Sequence, residues 1–130
     1  MLEDKYWYAY EKFSRAIYTL ATGAGDVRSR LLYVFFDPLL VIQSKQLPED
    51  LREDLIWIKK KITKFKEKWP GQLKKLEGWE NKDPMFKEKF PNLYPNPVEA
   101  TLNRIRRSTG VEIAQRIFKI YDSLDSRVRD

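Results

Sequence analysis

Apolar residues at helical spacing organise this chain from its first turns. Tyr6, Tyr10, Phe13, Ile17 and Leu20 follow one another at intervals of 4, 3, 4 and 3, which puts them on one helix face with Lys5, Lys12, Arg15 and Thr19 on the other side. Gly23 then supplies a stop, because Gly takes a left-handed C-terminal cap without strain. Asp26 is placed to cap the next helix, so Gly23-Ala24-Gly25-Asp26 reads as a tight helix-to-helix turn. The second helix begins at Val27, and Leu31, Leu32, Val34 and Phe35 make it apolar over the wide arc of a central bundle helix. Pro38 kinks or breaks it, with Leu39, Leu40 and Ile42 adding a further turn or two.

A third helix is predicted from Pro48, where Leu51, Leu55, Ile58, Ile62 and Phe65 again step by 4, 3, 4 and 3. From Trp69 to Pro97 the periodicity fails, and five of the seven prolines fall there. Trp69, Trp79, Phe86, Phe90 and Tyr94 in the same stretch argue for packing onto the body of the protein. Asn96-Pro97 opens a fourth helix with Val98, Leu102 and Ile105 facing inward, and Ser108-Thr109-Gly110 breaks it. A fifth helix runs from Val111 to about Leu124 on the stripe Ile113, Ile117, Ile120 and Leu124. No strand and no internal repeat is discernible. The expected fold is therefore all-α: a single domain over 1–130, a bundle of four to five helices with a long Pro/aromatic-rich loop at 69–96 and a frayed tail at 125–130.

Composition narrows the chemistry. The 130 residues include no Cys and no His, which excludes disulfides, zinc fingers, Cys nucleophiles, Ser-His-Asp triads and histidine-ligated metals. Glu49, Asp50, Glu53 and Asp54 cluster at helical spacing, but an acidic first turn is the plainer account of them. Gly23-Ala24-Gly25 follows a helix, not a strand, and lacks the rest of a phosphate-binding fingerprint. No enzyme activity and no cofactor is expected. The charged start Met1-Leu2-Glu3-Asp4-Lys5 is unlike a secretory signal, and the longest apolar stretch, Leu31 to Gln43, is too short to span a bilayer, so a cytoplasmic protein is expected.

Gly23 to Leu32 (GAGDVRSRLL), Leu47 to Leu55 (LPEDLREDL) and Glu99 to Leu124 (EATLNRIRR…IAQRIFKIYDSL) resemble small all-helical proteins of bacterial chromosomes and prophages that are known only as uncharacterised. The resemblance rests on turn and core residues and omits the Pro-rich insertion. It implies a helical fold and a bacterial or phage setting, and it carries over no site residue.

Charge and aromatic residues mark the candidate contact surfaces. Lys59, Lys60, Lys61, Lys64, Lys66, Lys68, Lys74 and Lys75 face one acid, Glu67, so this segment carries +7 while the whole chain carries +6. The rest of the protein is close to neutral. A smaller basic group comprises Arg104, Arg106, Arg107, Arg116 and Lys119. A lysine-rich face can displace counterions from a nucleic-acid backbone, and nearby Trp69 and Trp79 can stack on unpaired bases. Dominance of Lys over Arg weakens that reading, because the planar guanidinium is the better phosphate and base-edge donor. The third helix spends its apolar face on the core, which speaks against a membrane-surface role. Trp7, Tyr8 and Trp57 stand off the core stripes, as interface aromatics do. The leading expectation is a non-enzymatic protein-interaction module, with self-association as one form of it. Nucleic-acid binding through Lys59–Lys75 is the alternative.

Overall fold

The computed structural model describes residues 1–36, 39, 41–64, 78, 81–85, 88 and 97–130. These residues are all-α, as the periodicity predicts, with no strand among them. Five helices are described: α1 (Trp7–Thr22), α2 (Val27–Phe36), α3 (Arg52–Ile62), α4 (Pro97–Leu102) and α5 (Arg107–Arg129). The predicted insertion at 69–96 lies largely outside the described residues, as do Leu40 and Phe65.

Helix α5 packs against α1, α2 and α3, and α2 packs against α1, α4 and α5. The two share the centre of the bundle, where the wide apolar arc of α2 pointed to that helix alone. Phe13, Leu31, Val34, Leu55, Ile58, Ile113, Ile117 and Ile120 have no accessible surface. On α1 the deepest line is Ala9, Phe13 and Ala16, while Tyr10, Ile17 and Leu20, and Tyr6 just before the helix, are only partly covered. The predicted stripe is thus rotated toward Ala9 and Ala16, with Phe13 common to both lines.

The turn after α1 differs from the expected left-handed cap. Gly23 is extended (φ −66°, ψ 156°), its N–H still donating to Thr19 O, and Gly25 is the residue with positive φ (+81°). Asp26 caps α2 as predicted, accepting from the backbone N–H of Arg28 at 2.8 Å and Ser29 at 3.4 Å. The Arg28 guanidinium bonds the same carboxylate, and this side-chain bond is the main reason the Asp26 pKa falls from 3.8 to about 2. A depressed carboxyl stabilises the fold above its unfolded pKa and loses that contribution as pH falls through its folded value. The stability gap between the native protein and Asp26→Ala is therefore expected to be constant above about pH 5, to shrink between about pH 4 and 2, and to vanish below that. Urea titrations at stepped pH measure it, and a gap undiminished at the acid end would refute the cap.

The connection from α2 to α3 contributes side chains to the core. Leu39, Ile42 and Leu47 are fully buried. No further α-helical turn forms at 41–43, consistent with the missing donor of Pro38. A 3-10 turn at Ser44–Gln46 follows, closed by a reciprocal box in which Gln43 N–H donates to Gln46 Oε1 at 2.7 Å. Another 3-10 turn, Glu49–Leu51, precedes α3, so that helix starts later than Pro48. It stops at Ile62, where the Thr63 hydroxyl donates to Lys59 O at 2.6 Å.

Two corrections concern α5. Ser108-Thr109-Gly110 does not break the chain into separate helices; all three lie inside α5. Gly110 is buried where α2 crosses, and a Cβ there would meet Val27 Cγ1 at 3.0 Å and Arg28 Cγ at 3.3 Å. The missing side chain serves close approach, and that packing overrides the poor helix propensity of Gly. The tail from Asp125 is not frayed either, because α5 continues to Arg129. Tyr10 Oη donates to Asp125 at 2.7 Å, Arg129 bonds the same carboxylate at 2.8 Å, Arg127 pairs with Asp50, and Val128 is packed against the core.

Candidate interaction surface

The two flanks of α5 differ in kind. On the α3 side lies a buried carboxylate: Asp54, with 8% of its side chain accessible, accepts from Arg116 at 2.9 Å and pairs with Lys119 at 3.2 Å. Arg116 also covers the Trp57 ring at 4.4 Å, with Lys61 at 5.5 Å from the same ring. Three residues expected at contact surfaces, Trp57, Arg116 and Lys119, are thereby engaged within the molecule. Lys59 is likewise turned inward. Its ammonium donates to Ile42 O, and burial pushes its pKa down.

The remaining cations are scattered. Lys60, Lys61 and Lys64 are exposed at the end of α3, Arg104 and Arg106 are exposed between α4 and α5, and Arg107 is exposed at the start of α5. The basic group read from sequence as Arg104 to Lys119 therefore splits between two places. Lys66, Lys68, Lys74, Lys75, Trp69 and Trp79 lie outside the described residues. The four acids at the start of α3 do not converge, since Asp54 turns to Arg116 and Asp50 to Arg127.

On the α1 side the surface is apolar. Tyr10 stacks on Tyr121 (6.1 Å between centroids), Tyr121 meets Phe118 (6.3 Å), and Trp7 stands edge-on to Tyr10 (5.5 Å). Tyr10 lies beside Tyr121 and Asp125, whereas Leu20 and Ala21 lie beside Val111 and Ala114, so α1 and α5 run antiparallel. Between them Ile17, Leu20, Ala21, Val27, Val111, Ala114, Gln115 and Phe118 line a shallow groove of about 410 Å³. Phe118 leaves 52% of its surface accessible and Val111 42%. Bonding to Asp125, with partial burial, raises the Tyr10 pKa, and the Arg129 and Tyr10 bonds lower that of Asp125. These bonds tie the two helices together at the far end of the groove.

Of the aromatics singled out in the sequence, Trp7 borders this surface. Tyr8 is exposed elsewhere on α1, with Lys12 5.4 Å from its ring centroid. Phe118, Tyr121 and Val111 were not anticipated. Their signal is a second stripe on α5, Val111, Ala114, Phe118 and Tyr121 at intervals of 3, 4 and 3, running beside the core stripe.

Two other concavities are more polar. One, between α1 and α2, is open and is bordered by Arg15, Tyr18, Thr22 and Tyr33; the hydroxyls of Ser14 and Thr22 on it donate to their own helix. The other holds Asp26 and Arg28, which neutralise each other. Among the described residues no helix is long and apolar enough to cross a membrane. Among the described residues, the fold and surface define an all-α bundle with an apolar groove between α1 and α5. No protein-family model matches the chain, and neither a curated protein nor a solved structure does so.

Proposed function

We propose that this chain is a non-catalytic protein-docking module of the cytoplasm of a bacterium or phage-infected cell, and that the α1–α5 groove is its contact surface. The observation that carries the reading is Phe118, a large apolar side chain half exposed on an otherwise apolar groove. Water contact with such a surface is unfavourable by about 25 cal/mol for each Å², and covering it with a partner recovers that free energy. The absence of Cys and His supports a binding role over a catalytic one.

A photoreactive side chain placed at position 118 tests this. Protein adducts are expected from position 118 and not from position 33, which is exposed on α2 outside the groove. No adduct from 118, or equal yields from both positions, would contradict the reading.

Nucleic-acid binding is the second reading, favoured by the exposure of Lys60, Lys61 and Lys64 together at one helix end. It requires gel-shift affinity for DNA or RNA that falls steeply with salt and is lost on charge reversal of these three lysines. Against it, Lys59 and Trp57 are engaged internally, which removes a cation and an aromatic from that end.

A further inference from the structure

We infer that the occupant of the α1–α5 face is a second copy of this chain, bound about a two-fold axis that passes beside Ala114 and Gln115. The inference rests on the docking reading and names the partner. It comes from the order of residues along the exposed side of α5.

Arg107, Val111, Phe118 and Asp122 share one helix face, with Ala114 and Gln115 between the inner pair. Arg107 and Asp122 stand equally far from the midpoint of this run, and so do Val111 and Phe118. Two such helices laid antiparallel therefore place Arg107 opposite Asp122 and Val111 opposite Phe118, twice each. That is the self-complementary pattern an isologous contact needs. The charged ends are about 22 Å apart at 1.5 Å per residue, and Ala114 at the centre leaves room for close approach of the helix axes.

The charges favour this occupant in three ways. Neither Arg107 nor Asp122 has an ion pair with another described residue, although both are exposed. Arg107 lies in the first turn of α5, which contains no acid, and a cation there opposes the helix dipole. An opposing Asp122 relieves that conflict. Finally, Lys60 and Lys61 belong to α3, which packs on the other flank of α5 through Arg116 and Asp54. Two copies meeting at the α1 flank keep these lysines apart. Ile17 and Ala21 on the α1 wall extend the contact toward the roughly 800 Å² per partner that a stable dimer buries.

Sedimentation equilibrium of the full chain from low to high micromolar concentration is the test. The native protein is expected to associate to a dimer. Arg107→Glu and Asp122→Arg are each expected to weaken it by at least about tenfold, since each sets like charges opposite one another twice. An equimolar mixture of these two variants, and the double variant Arg107→Glu/Asp122→Arg, should recover association, because opposite charges again meet. Both positions are exposed, so folding is not at risk, and circular dichroism checks it. A native protein that stays monomeric overturns the inference, as does a dimer indifferent to both single reversals. If the native protein is monomeric while position 118 still forms adducts with a different protein, only the identity of the partner fails. If neither is seen, the docking reading fails as well.

Discussion

Phe13→Ala is expected to lower the unfolding free energy by about 3–5 kcal/mol, the range for removing a fully buried aromatic ring. Phe13 has no accessible surface and sits on α1 between Ala9 and Ala16, which are equally buried. Those alanines have no side-chain length with which to fill the space, so the cavity stays open and the cost lies at the upper end. Stability of a domain this size is commonly about 5–15 kcal/mol, so the loss is a large share of the total. Phe118→Ala supplies the contrast. Phe118 is half exposed in the monomer, and its truncation there is expected to cost under about 1 kcal/mol. Guanidinium titrations followed by circular dichroism, at concentrations below the association range, compare the two. Equal losses would mean that the faces of α1 and α5 are wrongly assigned.

The second large effect concerns Asp54. Arg116→Ala leaves this buried carboxylate with Lys119 as its cation and uncovers Trp57, for an expected cost of about 2–3 kcal/mol. That is below the 3–5 kcal/mol typical of stranding a buried charge, because Lys119 remains. Asp54→Ala is expected to cost less, about 1–2 kcal/mol, since Arg116 and Lys119 are partly exposed and regain water. The double variant should then be less destabilised than the sum of the single ones, and a double-mutant cycle in urea measures the difference. Strict additivity would show that Arg116 does not act through Asp54.

The helical class was legible because apolar spacing survives any detail of packing. Leu55, Ile58 and Ile62 on α3, with Leu51 in the 3-10 turn just before it, and Ile113, Ile117, Ile120 and Leu124 on α5, are buried as their periodicity requires. Gly110 was misread because its propensity is local whereas its reason for being Gly is Val27 on another helix. The end of α5 was misread in the same way: the tail from Asp125 is polar but for Val128, yet Asp125, Arg127 and Val128 each have a partner brought by the fold. Leu39, Ile42 and Leu47 lack a helical pattern, so nothing in their spacing shows that the connection carrying them contributes side chains to the core.

The candidate site was harder to read for one physical reason. Spacing shows which residues are apolar, and it does not show how much of an apolar arc the neighbours cover. On α5 two adjacent stripes are apolar; the first is enclosed by α1, α2 and α3, while Phe118 and Val111 of the second remain open. A run of lysines is equally ambiguous, since Lys59 turned inward to a backbone carbonyl while Lys60 beside it did not.

Carbene footprinting across a dilution series reads whether a second copy covers the α1–α5 face. Labelling of Val111 and Phe118 is expected to fall as concentration rises, while labelling of Tyr33, exposed on α2, does not change. Labelling of Phe118 that is the same at every concentration would contradict it.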